Sequence, residues 1–264
     1  KAKRTNPEKP ETNQRTSEIK KTEIWGGDFS ETVFVPLMGA FNAENVLCAL
    51  SIILSSTLAC ESSSDKTELW KHLATLLPML QAVEGRMQPV TLSEQCAEQC
   101  ATCPTVIVDF AHTPDALQQV LAAVKQHLEQ SMLGKLWVVF GCGGDRDQGK
   151  RPLMAQAAEP LADCIMVTSD NPRFEAPEQI IKQIIPLFTR PHSVKVTLNR
   201  KEAIEQVLDL AGPEDVIFIA GKGHESYQEI KGVKTPVQDE QVVLNWAQFN
   251  TMDKPLGEKD HGGS

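Results

Sequence analysis

The alternation of strand and helix signals between residues 105 and 247 is the feature that most limits how this chain can fold. The helical segments carry apolar residues on one stripe, as at Leu117, Leu121 and Leu128. The strand-like runs are short and almost continuously apolar or β-branched, as expected when both faces of a sheet are covered. These runs are residues 105–110, 136–140, 164–168, 194–197 and 216–220. The pattern predicts an α/β fold with a doubly wound, mainly parallel sheet.

Helix starts can also be placed. Thr113 is positioned to cap a helix whose first turn contains Pro114, and Pro177 opens another helix. Asn199 followed by Glu202 resembles a capping box.

Composition excludes some classes of function. The chain has 264 residues and a net charge of −9, without a basic stripe, so nucleic acid is not expected as a partner. No apolar run approaches the roughly 18 residues of a membrane helix, and no apolar signal segment follows the first lysines. We therefore expect a cytoplasmic protein that does not bind membranes.

Seven cysteines, an odd number, favour a reduced state. Cys96, Cys100 and Cys103 have a spacing found around iron–sulfur clusters. No fourth ligand is nearby, so an ordinary surface loop is the favoured interpretation.

Charged or imidazole side chains follow four of the five predicted strands. The carboxyl ends of parallel strands share one edge of a sheet, and ligands bind there. The segments concerned are residues 109–114 (DFAHTP), 141–152 (GCGGDRDQGKRP), 169–173 (SDNPR) and 221–225 (GKGHE). We expect them to meet at one rim.

Residues 141–152 only partly resemble a phosphate loop. Arg151 stands where a Walker-type loop needs Ser or Thr, and Arg146 stands where a dinucleotide fingerprint needs its third glycine. We expect the glycines to allow a sharp turn that aims Arg146 over the rim. Its guanidinium could then hold a carboxylate through two hydrogen bonds. An Arg–Asp network that only rigidifies the turn is equally compatible with the spacing.

The segment 169–173 is predicted to be a stiff elbow, because Pro172 restricts Asn171 to extended geometry. Asp170 could accept hydrogen bonds from an ammonium, and Arg173 could hold a carboxylate. With Arg146 and Glu225, the rim offers two cationic and two anionic partners, which suits an amino acid with an extra carboxylate. Mutual salt bridging without a ligand is the alternative.

His112 and His224 could serve as bases or metal ligands. No pairing such as HExxH supports a metal site, so no metal is predicted, and histidines that order their own loops are favoured.

The four motifs occur in this order and at this spacing in the Mur ligase family, which the chain resembles from about Val35 to about Val243. Residues 38–42 (MGAFN) and 85–87 (GRM) add to the resemblance. The resemblance implies that residues 32–88 are the mostly helical end of a central ATP-binding domain. It implies that residues 89–250 are a Rossmann-like domain that binds the incoming amino acid. Residues 1–31 match poorly or are flexible, and residues 251–264 form a flexible tail.

Site residues follow from the same resemblance. Family members with the sequence Asp-Asn-Pro-Arg add meso-diaminopimelate to a UDP-N-acetylmuramoyl dipeptide, using ATP and Mg²⁺. The residues implied to hold diaminopimelate are Arg146, Asp170, Asn171, Pro172, Arg173, Gly221 and Glu225. Those implied to contact the nucleotide are Asn42, Arg86 and Asp109.

Departures from the family pattern matter as well. The phosphate loop and the modified lysine that helps bind magnesium are absent from these residues, and Phe110 stands where Tyr is more usual. We therefore expect neither turnover nor a bound cofactor from this chain alone. The alternatives are a folylpolyglutamate-synthase-like ligase, a non-catalytic amino-acid-binding module and a nicotinamide-dependent oxidoreductase. The Asp-Asn-Pro-Arg elbow disfavours the first, and the missing third glycine disfavours the last.

Overall fold

A computed structural model of the chain describes residues 21–26, 29–37, 39–57, 63–91, 103–131, 134–190 and 194–252. The chain divides into two compact units. The smaller comprises residues 1–37 and 43–80, and the larger comprises residues 38–42 and 81–264.

The smaller unit contains an antiparallel hairpin of β1 (Lys21–Gly26) and β2 (Phe29–Phe34). Most of helix α1 (Ala40–Thr57), helix α2 (Ser63–Leu76) and a 3₁₀ turn (Leu77–Met79) complete it. A small apolar cluster forms its core, made of Val35, Val46, Leu50, Ala74 and Leu77.

This hairpin was not predicted from the sequence, because residues 1–31 were expected to be flexible or to match the family poorly. Strand pairing explains the difference, because the backbone groups of the two strands bond to each other. Residues 1–20 and 253–264 lie outside the described residues.

A six-stranded sheet forms the centre of the larger unit, with the order β3-β4-β8-β5-β6-β7. Its strands are β3 (Gln88–Pro89), β4 (Thr105–Asp109), β5 (Leu136–Phe140), β6 (Cys164–Val167), β7 (Val194–Val196) and β8 (Val216–Ala220). Only β3 runs antiparallel to its neighbour. The predicted α/β fold with a mainly parallel sheet is confirmed.

Helices cover both faces of this sheet. The first apolar cluster joins one face to α3 (Pro114–Ser131), α4 (Lys150–Ala158) and α5 (Pro177–Ile184). The second joins the other face to α6 (Arg200–Leu210) and α7 (Asp239–Met252).

Two predicted helix starts are confirmed in detail. Thr113 Oγ1 accepts a hydrogen bond from Ala116 N at 3.3 Å. Asn199 Oδ1 accepts one from Glu202 N at 3.3 Å, while Glu202 Oε1 accepts from the side-chain Nδ2 of Asn199 at 3.1 Å. The predicted helix at Pro177 also begins there.

Strand β8 creates a switch point in the sheet. It lies between β4 and β5, whose following helices pack on one face, whereas the chain after β8 continues to α7 on the other face. Connections that leave neighbouring strands toward opposite faces open a crevice at the carboxyl ends, where ligands bind in such sheets.

The carboxylate of Asp215 lies at the opposite, amino ends of the strands. Asp215 accepts hydrogen bonds from Lys135 N at 2.7 Å, Gly212 N at 2.9 Å and Trp137 Nε1 at 2.9 Å. Burial raises the pKa of the Asp215 carboxyl, but these hydrogen bonds outweigh it, so the pKa lies below its ordinary value.

Cysteine chemistry departs from the expected reduced state, because Cys103 is disulfide-bonded. An odd total excludes complete pairing but allows a single bond. Cys48, Cys142 and Cys164 are free. Cys96 and Cys100 lie outside the described residues, so the interpretation of the cysteine triplet stays untested.

Among the residues that the structure describes, no helix is both long and apolar enough to cross a membrane.

Candidate functional site

Loops that follow β5, β6 and β8 pack closely against one another at the carboxyl edge of the sheet. A Cβ atom added to Gly141 would lie 2.3 Å from the carbonyl oxygen of Thr168. One added to Gly144 would lie 1.9 Å from that of Pro172, and one added to Gly221 would lie 2.8 Å from Asp170 Oδ2. These contacts join three of the predicted segments into one rim.

The glycines of the 141–149 loop have a different role from the one predicted. We expected them to permit a sharp turn, yet the residue with positive φ in this loop is Asp145, at 51°. Gly141 and Gly144 are needed because the backbone of residues 168–172 leaves no space for a side chain.

Arg151 anchors this loop and was not identified from the sequence as a functional residue. Its side chain is fully buried and makes a two-pronged ion pair with Glu175, with N–O distances of 2.8 and 2.9 Å. A further hydrogen bond reaches the carbonyl of Gly143 at 3.2 Å. The hydrogen bonds of Arg151 hold the pKa of the Glu175 carboxyl below its usual value. A rigidifying network therefore exists, but it joins Arg151 to Glu175 and is not the Arg–Asp network considered from the sequence.

Arg146 is left exposed beside this network. Its Cγ and Arg173 Nη1 lie 3.6 and 3.0 Å from the Cβ position of Gly143, so both arginines border the same glycine. No hydrogen bond to the Arg146 guanidinium is found among the described residues. That guanidinium is available to an anionic ligand.

Arg173 is held in a specific orientation. Its backbone has a positive φ of 52°, and its Nη1 donates to the carbonyl of Gly144 at 2.8 Å. Its Nε lies 3.8 Å from Glu229 Oε2. The guanidinium is only partly engaged, and its side chain is 22% exposed.

Asn171 connects the loop after β6 with the loop after β8. Its Nδ2 donates to Glu225 Oε2 at 2.9 Å, and its Oδ1 accepts from Glu229 N at 2.9 Å. Lys222 Nζ approaches the same Oε2 at 3.2 Å. Within the described residues, Oε1 of Glu225 has no hydrogen-bond partner.

Asp170 is nearly buried, yet its carboxylate finds no hydrogen-bond donor in the described parts of the chain. Its backbone carbonyl accepts from the Gln228 amide at 2.5 Å. Gly221 has a φ of 112° and leaves space beside the carboxylate. A buried carboxylate without a donor suits an ammonium ligand.

Beneath the rim lies a buried ion pair that the sequence analysis missed. Arg200 donates to both oxygens of Asp239, at 2.8 and 2.7 Å, and to the carbonyl of Ala220 at 3.0 Å. Burial lowers the pKa of Arg200, but the charge and hydrogen bonds of Asp239, with the charges of Asp170 and Glu225, raise it overall. This guanidinium is a fixed positive charge below the two rim carboxylates.

The residues predicted to contact a nucleotide lie in the same compact unit. Asp109 is buried, and its two oxygens accept from Met87 N at 2.7 Å and Ala111 N at 2.6 Å. Burial raises the pKa of the Asp109 carboxyl despite these hydrogen bonds and the charge of Arg86. Arg86 is exposed and stacks 4.9 Å above the Phe110 ring. Asn42, near the start of α1, is partly buried.

Both histidines pack near the Phe110 ring. The His112 ring makes an edge contact at 4.7 Å, and the His224 ring stacks at 6.0 Å. His112 Nδ1 lies 2.9 Å from the Phe110 carbonyl oxygen. These contacts are consistent with loop ordering. In the described parts of the chain, no group of three or more His, Cys, Asp or Glu could hold a metal.

The segment that carries these loops matches a known family model, described as "Mur ligase, glutamate ligase domain", over residues 85–223. This match extends over more than half of the chain. The chain belongs to the Mur ligase family.

Curated relatives sharpen the comparison within the Mur ligases. UDP-N-acetylmuramoyl-L-alanyl-D-glutamate–2,6-diaminopimelate ligase of Pseudomonas putida is 44% identical over 214 residues, which is 80% of this chain and 39% of that protein. The protein of the same name from Xylella fastidiosa is 42% identical over 220 residues, covering 83% and 40%. The chain therefore spans about two fifths of the length of these relatives.

Solved structures agree with the fold. A structure of UDP-N-acetylmuramoyl-L-alanyl-D-glutamate–2,6-diaminopimelate ligase superposes with a TM-score of 0.60 at 38% identity, covering 86% of this chain and 42% of that one. Folylpolyglutamate synthase from Thermotoga maritima gives a TM-score of 0.53 at 16% identity, covering 77% and 41%. At that identity the second structure shares the fold alone.

Proposed function

We propose that this Mur ligase chain is the C-terminal part of an ATP-dependent ligase that adds meso-2,6-diaminopimelate to UDP-N-acetylmuramoyl-L-alanyl-D-glutamate in peptidoglycan synthesis. The rim would hold the diaminopimelate. The observation that carries the proposal is the meeting of unpaired positive and negative groups at one edge of the sheet. The names of the relatives supply the substrate class.

The rim residues take complementary roles in this proposal. Arg146 and Arg173 bind a carboxylate of the amino acid through their free N–H groups. The carboxylate of Asp170 and the Oε1 atom of Glu225 accept from an ammonium. Asn171, Pro172 and Gly221 shape the rim, Asn171 mainly by orienting Glu225.

Selection against lysine follows from this arrangement. Lysine lacks the second carboxylate of diaminopimelate, so binding it would desolvate an arginine without giving it a partner. An unpaired polar group in a binding site costs about 1–3 kcal/mol, and more when it is charged.

A nucleotide would be held on the other side of the same loop system. Arg86 is an exposed cation suited to a phosphate, whereas both Asp109 oxygens already bind backbone N–H groups. Asp109 therefore fixes the backbone next to Arg86, and Asn42 provides a further polar contact. ATP, with Mg²⁺, supplies the phosphoryl group that activates the D-glutamate carboxylate as an acyl phosphate.

The contribution of this chain to the chemistry is positioning. The diaminopimelate amine attacks the acyl phosphate, and the tetrahedral intermediate expels phosphate to leave an amide. An amine that is already held in the attack geometry avoids much of the entropic cost of the encounter. The 264 residues contain no Walker-type sequence, so we expect binding without turnover from this chain alone. We propose a cytoplasmic location for this reaction.

Calorimetry tests the proposal. The 264-residue chain should bind meso-diaminopimelate at least tenfold more tightly than L-lysine. Arg173→Ala should remove that preference, because it removes a guanidinium from the carboxylate subsite. Arg190→Ala is the matched control, since this arginine lies beside Glu159 at the far end of α4, and it should keep the preference. Equal binding of both ligands by the folded wild-type chain, or an unchanged preference in Arg173→Ala, would contradict the proposal.

A further inference from the structure

Lys222 is a fully buried lysine at the centre of the rim, and none of the roles proposed above uses it. Its side chain is 0% exposed. A buried ammonium is costly unless it is paired and all its protons are bonded. The surroundings of Lys222 meet both conditions.

Three acceptors, one from the loop after β6 and two from the stretch after β8, surround the Lys222 ammonium. Nζ lies 3.2 Å from Glu225 Oε2 and 3.5 Å from Asn171 Oδ1, and it donates to the carbonyl of Tyr227. An ammonium has three protons, so the set matches its donor capacity. Asn171 follows β6, Glu225 lies in the loop after β8, and Tyr227 begins strand β9 (Tyr227–Ile230).

The consequence for Glu225 is a fixed orientation. Its Oε2 atom receives hydrogen bonds from both Lys222 and Asn171. The described residues provide no donor for Oε1, and the side chain is 28% exposed. One oxygen is therefore locked into the protein while the other is left for a ligand.

We infer that Lys222 is a positioning residue that sets the affinity for the amino-acid ammonium by holding Glu225 with Oε1 toward the ligand. This inference rests on the proposed function, because it assigns Glu225 to the ammonium of that substrate. Lys222 itself does not contact the ligand.

A double-mutant cycle tests the inference. Lys222→Met keeps the length of the side chain but removes the charge and the donors. In the 264-residue chain it should weaken binding of meso-diaminopimelate by about 10-fold to 100-fold, as expected for hydrogen bonds to a charged group. Glu225→Gln should show a similar loss, and the double variant should bind no more than about threefold more weakly than Glu225→Gln alone. Losses that multiply in the double variant would show that Lys222 acts independently of Glu225, and would overturn the inference.

Nuclear magnetic resonance gives a readout that does not depend on the ligand. The side-chain amide of Asn171 donates to Glu225 Oε2, so its signals should move toward those of a free asparagine amide in Lys222→Met. Lys201→Met is the control, because Lys201 is 59% exposed on α6, and it should leave the Asn171 signals in place. Unchanged Asn171 signals in Lys222→Met would contradict the positioning role.

The wild-type chain provides a measurement that remains valid if Lys222→Met does not fold. A buried ammonium with three acceptors should give a slowly exchanging ¹⁵N signal, assigned through the carbons of its own side chain. Fast exchange like that of exposed lysines would overturn the arrangement. The two proposals also fail separately. Absence of diaminopimelate binding together with the expected Lys222 and Asn171 signals would count against the proposed function only.

Discussion

The two ends of the parallel sheet differ in whether their polar side chains have hydrogen-bond partners within the protein. At the amino ends, Asp163 and Asp215 are engaged by the protein itself. Asp163 accepts from Leu136 N at 2.8 Å and from Lys125 Nζ at 2.8 Å, and Asp215 accepts from two backbone N–H groups and Trp137.

At the carboxyl ends, the structure leaves donors and acceptors unused. Among the described residues, the guanidinium of Arg146, the carboxylate of Asp170 and Glu225 Oε1 have no hydrogen-bond partner. The groups that lie deeper, Lys222 and Arg200, are ion-paired within the protein. These open groups lie at the rim, where a ligand can complete their pairing. The buried Nε of Arg151 also has no hydrogen-bond partner in the described parts of the chain.

The difference separates stability from binding. A polar group that is saturated within the fold contributes to the free energy of unfolding. One that is held in place but unpaired contributes only when a ligand arrives. Substitutions at the two ends should therefore affect different measurements.

The largest expected effect is on stability, at the amino ends. Asp215→Ala removes the acceptor of three hydrogen bonds and should lower the free energy of unfolding by about 2–4 kcal/mol. Urea unfolding measures it. Glu129→Ala removes the same charge from an exposed helix position and should change stability by less than about 0.5 kcal/mol. Equal losses in the two variants would remove the distinction between the ends.

A smaller effect, confined to binding, is expected at the rim. Arg146→Ala should weaken binding of meso-diaminopimelate by about 10-fold to 100-fold, because it removes charge-assisted hydrogen bonds. Its unfolding free energy should stay within about 0.5 kcal/mol of wild type, since the side chain is exposed. Asp215→Ala should show the reverse: a loss of stability, with unchanged binding of meso-diaminopimelate at urea concentrations below its unfolding transition. A stability loss in Arg146→Ala without a binding loss would contradict the comparison.

The subtlest difference is in titration. At the carboxyl ends of the strands, burial raises the pKa of the Asp109 carboxyl above its ordinary value of 3.8. The pKa of the Asp215 carboxyl lies below that value, because the effect of its hydrogen bonds outweighs the effect of its burial. Asp215 therefore contributes stability above its unfolded pKa, and that stability is lost as the pH falls through the lower folded pKa. The stability that Asp109 contributes has the opposite pH dependence. It is present below the unfolded pKa and is lost as the pH rises from there through the higher folded pKa.

Carbon-detected titration of the two carboxyl groups measures these directions. Asp215→Asn should also flatten the loss of stability in acid, because its carboxyl no longer takes up a proton on unfolding. Titration of Asp109 below Asp215 would refute the assigned environments.

Local sequence signals were sufficient for most of the fold. The five parallel strands were predicted within two residues at each end, and the helix starts at Pro114 and Pro177 were predicted correctly. These features depend on period, capping and proline geometry, which act over a few residues. Parallel topology then implied that Asp170, Asn171, Arg173, Gly221 and Glu225 would lie at one edge.

The sequence alone did not reveal which charged side chains are buried partners and which are open. Arg146 and Arg151 are only five positions apart in one polar loop, and both could have been the ligand-facing arginine. Lys222 was placed at the rim without a role, and Arg200 was not considered.

What the sequence determined, then, is the order of strands and helices and the chemical types gathered at the carboxyl edge. What only the tertiary structure decided is the pairing: Arg151 with Glu175, Arg200 with Asp239, and Lys222 with Glu225. The physical reason is that secondary structure follows from interactions between neighbours in the chain. The fate of a charge depends instead on burial and on partners that approach from distant segments, which no local pattern records.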